Sequence, residues 1–165
     1  GVGSYVVQIA KAAGAEVTGV CSTAKVDLVQ VLGADHVVDH TQRDYAEDGP
    51  YDIVLDIGGS RTLGQLRRAL TPKGRLVIVG GETDGRWLGG FDRQVRAGLL
   101  SPFVSQTLGQ VASREKAEDL VALRELIESG QVSPAVGGVY PLVEAAAAMA
   151  HLIDGQARGK LVLTL

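Results

Sequence analysis

The residues with the clearest chemical potential are Gly1, Val2 and Gly3, at the head of an apolar helical run, and Cys21, Ser22, Thr23 and Lys25, which follow the next strand-like segment. Glycines in such a turn let the backbone approach a pyrophosphate, and the first N–H groups of the helix then face the anion. The full dinucleotide fingerprint has a strand and a further glycine ahead of these positions, so Gly1-Val2-Gly3 reads as the end of that loop. An NAD-preferring loop carries Asp or Glu about 20 residues after its glycines, to accept hydrogen bonds from the adenosine ribose. Here that place holds Cys21 and Ser22, followed by Thr23, Ala24 and Lys25. A carboxylate would repel a 2′-phosphate, whereas hydroxyls and an ammonium can bond it at about 1.5–3 kcal/mol per charged hydrogen bond. Two such contacts would favour NADPH over NADH by roughly one to four powers of ten. Ser22 and Thr23 also suit the N-cap of a helix opening at Ala24, and the two roles are compatible.

A second set of glycines follows buried strands. Gly58 and Gly59 come after one, Gly80 and Gly81 after another, at the carboxyl ends where an open α/β sheet binds its ligand. Their turn geometry is required in any case, and ligand contact is the added expectation. No acid–base or metal constellation accompanies them. His36, His40 and His151 are scattered, with no Cys or carboxylate at ligand spacing. Cys21 reads as a small buried residue or a cofactor neighbour, and Tyr5, Tyr45, Tyr51 and Tyr140 read as packing residues. No catalytic residue and no metal ligand is assigned.

Strands alternating with short helices must position these groups. Val6, Ile9, Ala10 and Ala13 fall at helical spacing and predict a helix from Gly3 to Ala13, stopped by Gly14. Ala15–Val20 reads as strand, Ala24–Leu32 as helix closed by Gly33, and Ala34–Asp39 as strand. Residues 41–50 read as loop with a short helix. The run Tyr51–Ile57 predicts a parallel strand buried on both faces. Leu63, Leu66 and Leu70 mark a helix ended by Pro72 and Gly74, and Arg75–Val79 is a further buried strand. Residues 82–104 read as irregular with one helix near Asp92–Leu99, and Ser105–Val111 as strand. Glu115–Ser129 predicts an amphipathic helix with Leu120, Leu123 and Ile127 inward and Gly130 as its stop. Val132–Tyr140, Val143–Ile153 and Leu161–Leu165 then read as strand, helix and strand. This alternation predicts right-handed βαβ units and a doubly wound parallel sheet.

The 165 residues suffice for one domain with a core. With 16 basic and 19 acidic residues and no basic run, a nucleic-acid partner is not expected. No apolar run approaches the roughly 18 residues of a membrane helix, so no membrane partner is expected either. The single cysteine forms no internal disulfide and fits a reducing, cytoplasmic setting.

Taken together, Gly1-Val2-Gly3-Ser4, Asp56-Ile57-Gly58-Gly59, Pro72-Lys73-Gly74-Arg75 with Val79-Gly80-Gly81, and Arg158-Gly159-Lys160-Leu161-Val162-Leu163 stand in register with a known pattern. They resemble the C-terminal half of the medium-chain dehydrogenase/reductase superfamily, in its zinc-independent quinone oxidoreductase branch. The resemblance implies a Rossmann-type doubly wound parallel sheet that lacks its first strand here, in the order 3-2-1-4-5-6. It implies residues 1–131 as a dinucleotide-binding domain truncated at its N-terminus. Residues 132–165 would be a return segment that packs on the catalytic domain in full-length relatives. By resemblance Gly1 and Val2 lie against the pyrophosphate and Gly3 is the last glycine of the loop. Gly58 and Gly59 flank the adenosine half, Gly80 and Gly81 the nicotinamide side, and Lys160 faces the cofactor. The implied activity is NADPH-dependent reduction of a quinone or other α,β-unsaturated carbonyl, by placing nicotinamide C4 against the substrate. A non-catalytic NADP(H)-binding remnant and an enoyl-thioester reductase are the alternatives, and a homodimer is among the assemblies allowed.

The absent first strand would be central, and its loss removes up to roughly ten backbone hydrogen bonds of about 1 kcal/mol each. The chain by itself is therefore expected to be inactive and not to form a stable, dinucleotide-binding monomer, unless another strand such as Leu161–Leu165, or one from a partner chain, fills the gap.

Overall fold

The computed structural model describes residues 1–58, 61–79, 92–110 and 116–165, and these form two compact units. The first comprises residues 1–42 and 115–165, the second residues 43–114.

In the first unit, helix α1 (Val2–Ala12) leads to strand β1 (Thr18–Cys21), a single 3-10 turn at Thr23–Lys25, helix α2 (Val26–Val31) and strand β2 (His36–Asp39). β1 and β2 pair in parallel with Cys21 opposite Asp39, so the two strands end level with each other. That parallel pairing forces a crossover between them, and α2 supplies it. α2 lies so close to β1 at Gly19 that a Cβ there would run into the Val29 side chain, which fixes glycine at that position. The unit closes with α5 (Ala117–Glu128), β6 (Val136–Pro141), α6 (Ala145–Ile153) and β7 (Lys160–Thr164). β6 and β7 form their own parallel pair. Gly159, immediately before β7, has φ +126° and faces the Ala135 carbonyl where a Cβ would stand, while Lys160 N–H donates to that carbonyl at 2.7 Å. Val38 and Val132 are fully buried in this unit, with Val7 and Ala148 beside them in burial.

The second unit carries β3 (Tyr51–Asp56), α3 (Leu63–Arg68), β4 (Leu70–Ile78), α4 (Asp92–Leu100) and β5 (Thr107–Gln110). The strands form a parallel sheet in the order β3-β4-β5. Its core is Leu66, Leu70, Leu76, Ile78 and Leu108. Thr62 opens α3 with a reciprocal capping box: its hydroxyl accepts from Gln65 N–H, and its own N–H donates to Gln65 Oε1.

Every strand pair is parallel, as the alternation predicts, and Gly14, Gly33 and Gly130 stand after α1, α2 and α5. In the expected order, β1 and β3 are the two neighbours of the first strand. Each has one pairing partner among the described strands, β2 and β4 respectively. Leu161–Leu165 does not fill that place, because β7 pairs with β6.

Leu70, expected to end a helix, instead opens strand β4, because α3 stops at Arg68 and the strand already runs through Pro72 and Gly74; three details of burial differ as well. The buried stripe of α1 is Ser4, Val7 and Gln8, while Ile9 is 40% exposed and Ala13 lies on the surface. A polar anchor decides this, since Gln8 is drawn inward by three hydrogen bonds described below. β3 is not buried on both faces: Ile53 and Leu55 are exposed at 61% and 41%. In α5, Leu120 is exposed and Leu123, Leu126 and Ile127 are half-buried. Periodicity finds a helix's apolar face but not whether a neighbour covers each position on it. Trp87, Phe91, Val111 and the glycines Gly59, Gly80 and Gly81 lie outside the described residues.

Candidate functional site

Gly1 is the N-cap of α1 and makes no side-chain cap, and no acidic residue occupies the first turn. Among the described residues no side chain caps this end, and its first turn carries no negative charge against the positive end of the helix dipole. Ser4 does not cap either: its hydroxyl donates backwards to the Gly1 carbonyl at 3.0 Å. Lys160 and Lys25 both act electrostatically on the backbone nitrogen of Gly1. Both ammonium groups thus act on the space at the head of α1.

Each lysine is placed by the fold. Lys160 opens β7, and its ammonium lies 5.7 Å from the centre of the Tyr5 ring on α1. Lys25 ends the 3-10 turn after β1 and donates to the Gly155 carbonyl at 3.0 Å, which leaves two of its three protons. Two residues on, Asp27 takes both its oxygens to Arg158 Nη2, at 2.7 and 2.6 Å. That pair holds the Asp27 carboxyl below the usual range. The loop 155–160 is thereby tied to the end of β1 at two points. A third tie runs from α1: buried Gln8 donates to the Ser133 and Ser4 carbonyls at 3.0 and 2.8 Å and accepts from Ser133 N–H at 2.7 Å. Gln8 uses both ends of its amide to fix the segment before β6 against α1.

At the end of β1, Ser22 holds the N-cap position of the 3-10 turn in an extended conformation but makes no side-chain cap. The Thr23 hydroxyl turns away from the helix and donates to Asp39 Oδ2 at 2.5 Å. Thr41 donates to Asp39 Oδ1 from its N–H at 2.9 Å and its hydroxyl at 2.7 Å, and Gln42 adds a bond to Oδ2 at 2.9 Å. Bonding to Thr23, and then to Thr41, holds the Asp39 carboxyl below the usual carboxylate range, so it is ionised at neutral pH. The Cys21 thiol is shifted the other way, by burial first and then by Asp39. It is a protonated neighbour and not a ready nucleophile.

Among the expected site residues, Gly1, Val2, Gly3, Cys21, Ser22, Thr23, Lys25 and Lys160 all fall within the first unit. Gly58 belongs to the second. Among the described residues no group of three or more His, Cys, Asp or Glu could hold a metal ion, and no helix is long and apolar enough to cross a membrane. Sequence reasoning missed Asp39, Gln8 and the Asp27–Arg158 pair. Asp39 had a usable signal: two neighbouring parallel strands were expected to end at residues 20 and 39, which brings their ends side by side. Gln8 and Arg158 had none, because their partners lie far away in sequence. As a donor set the site suits an extended anion. The helix N–H groups and two ammonium groups can meet phosphates, and the Ser22 hydroxyl, which makes no cap, can meet a sugar.

Residues 32–163 match the family model described as zinc-binding dehydrogenase. The chain is 30% identical over 168 residues to a chloroplast envelope quinone oxidoreductase homolog of Arabidopsis thaliana, covering 99% of this chain and 49% of the relative. It is 31% identical over 173 residues to an NAD-dependent alcohol dehydrogenase of Saccharolobus solfataricus, covering 99% of this chain and 47% of the relative. The fold matches the quinone oxidoreductase of Coxiella burnetii with a TM-score of 0.81 at 24% identity, over 100% of this chain and 50% of that one. The chain spans about half the length of the curated relatives it matches.

Proposed function

The chain belongs to the zinc-binding dehydrogenase family, a medium-chain dehydrogenase/reductase family with a Rossmann-like fold, and we propose that it is the cofactor-binding part of a nicotinamide-dependent oxidoreductase. The reading includes the quinone or enone reductase type and a preference for NADPH. The observation that carries it is a first turn of α1 free of acidic residues, with Lys160 set against Tyr5 of that helix and Lys25 acting on the same end. The N–H groups of Gly3 and Ser4 would meet the pyrophosphate, and Lys160 would add charge. Gly1, Val2 and Gly3 would let the backbone close on the anion.

When bound, the dinucleotide supplies the hydride from its nicotinamide ring. This chain's residues bind and orient it. Cys21 and Ser22 would border the adenosine ribose, and the Ser22 hydroxyl with the two unused Lys25 protons would meet a 2′-phosphate. Gly58, Gly59, Gly80 and Gly81 would flank the rest of the cofactor, as expected from their places after strands. Residues 132–165 would pack on a catalytic domain, as in full-length relatives, and the substrate would be a quinone or other electron-poor alkene. The setting we propose is cytoplasmic, with the single cysteine reduced.

Titrating the whole protein of which this chain is the proposed cofactor-binding part with NADPH and NADH, followed by nucleotide fluorescence, tests this. NADPH is expected to bind at least about tenfold more tightly, and Lys25→Ala is expected to remove most of that difference. Equal or tighter NADH binding would overturn the cofactor preference, and binding of neither would overturn the whole reading.

A further inference from the structure

We infer that Asp39 is a specificity-determining residue that limits the site's preference for a 2′-phosphorylated dinucleotide; the inference rests on the proposed reading of the site. In a doubly wound sheet the adenosine ribose sits at the end of the strand that follows the glycine-loop helix, which here is β1. Cys21 ends β1, and its register partner across the strand pair is Asp39. The sequence places no carboxylate on β1's own end, but the parallel pairing delivers one from β2.

What distinguishes Asp39 is the nature of its partners. Asp27 faces Arg158 and Asp35 faces Lys11, so each of those charges is matched by a cation. Among the described residues Asp39 bonds two threonine hydroxyls, one backbone N–H and one side-chain amide, all neutral. Its negative charge is oriented and, among the described residues, in no ion pair. Its field also reaches the end of β1, where it contributes to raising the Cys21 thiol pKa.

Two consequences bear on the ligand. A ribose 2′-hydroxyl is neutral and meets no repulsion from this carboxylate, whose acceptor positions are already taken by Thr23, Thr41 and Gln42. A 2′-phosphate is repelled by it, against the attraction of Lys25. The Thr23 hydroxyl proton, which the sequence assigns to a phosphate, is committed to Asp39 Oδ2 instead. The cofactor preference is then the balance between Lys25 and Asp39, and the hydroxyls of Ser22 and Thr23 alone do not set it.

The test is the ratio of NADPH to NADH affinity in the wild type, Asp39→Asn, Asp39→Ser and Asp39→Glu, measured at one ionic strength. Both nucleotides bind the same folded fraction, so a variant that only loses stability does not move the ratio. Removing a unit charge beside a doubly charged phosphate at a solvated site is expected to raise the ratio on the order of tenfold in Asp39→Asn. Asp39→Ser is expected to follow it, and Asp39→Glu to stay near the wild-type ratio. An unchanged ratio in the two neutral variants, with both nucleotides still bound, overturns the inference and leaves the reading of the site standing. A glutamate variant that moves with the asparagine variant also overturns it, because charge would then not be the cause. A wild type that binds neither nucleotide overturns both.

Discussion

The thiol of Cys21 sits where two carboxylates and one ammonium compete. Burial raises its pKa first, Asp39 and Asp27 add to the rise, and Lys25 opposes it. A raised pKa keeps the thiol protonated at neutral pH, and the reactive thiolate appears only as pH climbs past the ordinary thiol range. Because Cys21 is the chain's single cysteine, alkylation reports on it alone. Iodoacetamide is expected to react more slowly at pH 7.5 than with a free thiol at the same pH, with a rate–pH profile displaced upward. Asp39→Asn removes the largest charge contribution and is expected to move the profile down. A profile matching that of free cysteine would contradict the local electrostatics. The residue types at this site were legible in advance, but their hydrogen-bond assignments were not. Thr23 reads equally as a cap or a phosphate donor, and the position of Asp39 across the strand pair gives its hydroxyl a third partner.

Between elements, the connection Gly155–Lys160 has a large role for its length. It gives Lys25 a carbonyl, gives Asp27 a guanidinium through Arg158, and sets Lys160 over Tyr5. Its geometry depends on Gly159, which has φ +126° and has no room for a Cβ against the Ala135 carbonyl. Gly159→Ala is expected to destabilise the protein by about 1–3 kcal/mol through backbone strain alone, measured by urea denaturation. It should also weaken nucleotide binding beyond its effect on the folded fraction, because Lys160 is the next residue. Wild-type stability in this variant would mean that the loop relaxes freely and does not place Lys160. The helix stops and strand runs were visible from glycine placement and apolar runs. The buried stripe of α1 was not, because Gln8 is buried by partners from residue 133 that no local pattern reveals.

For the molecule as a whole, a ligand that binds only the folded state raises stability by mass action. At a hundredfold excess of NADPH over its Kd the gain is about 2.7 kcal/mol. In the whole protein that carries this chain, the gain is read as a rise in Tm of a few degrees. Lys160→Ala is expected to reduce the shift at the same nucleotide concentration, and no shift in the wild type would contradict nucleotide binding. The alternation of strands and helices, the parallel pairing, the glycine stops and the family were all set by the sequence alone. Each is local or periodic: a glycine ends a helix where it stands, and apolar runs of strand length alternating with helices are the pattern of a parallel sheet. The tertiary structure decided which charges are cancelled. It sends Lys25 to Gly155 and Arg158 to Asp27, and it leaves Asp39 facing neutral donors beside the end of β1. It also pairs β7 with β6, so the last strand of the chain is not a stand-in for the sheet's first. These are contacts between residues distant in sequence, and their energy depends on distance and burial, which composition and spacing do not encode.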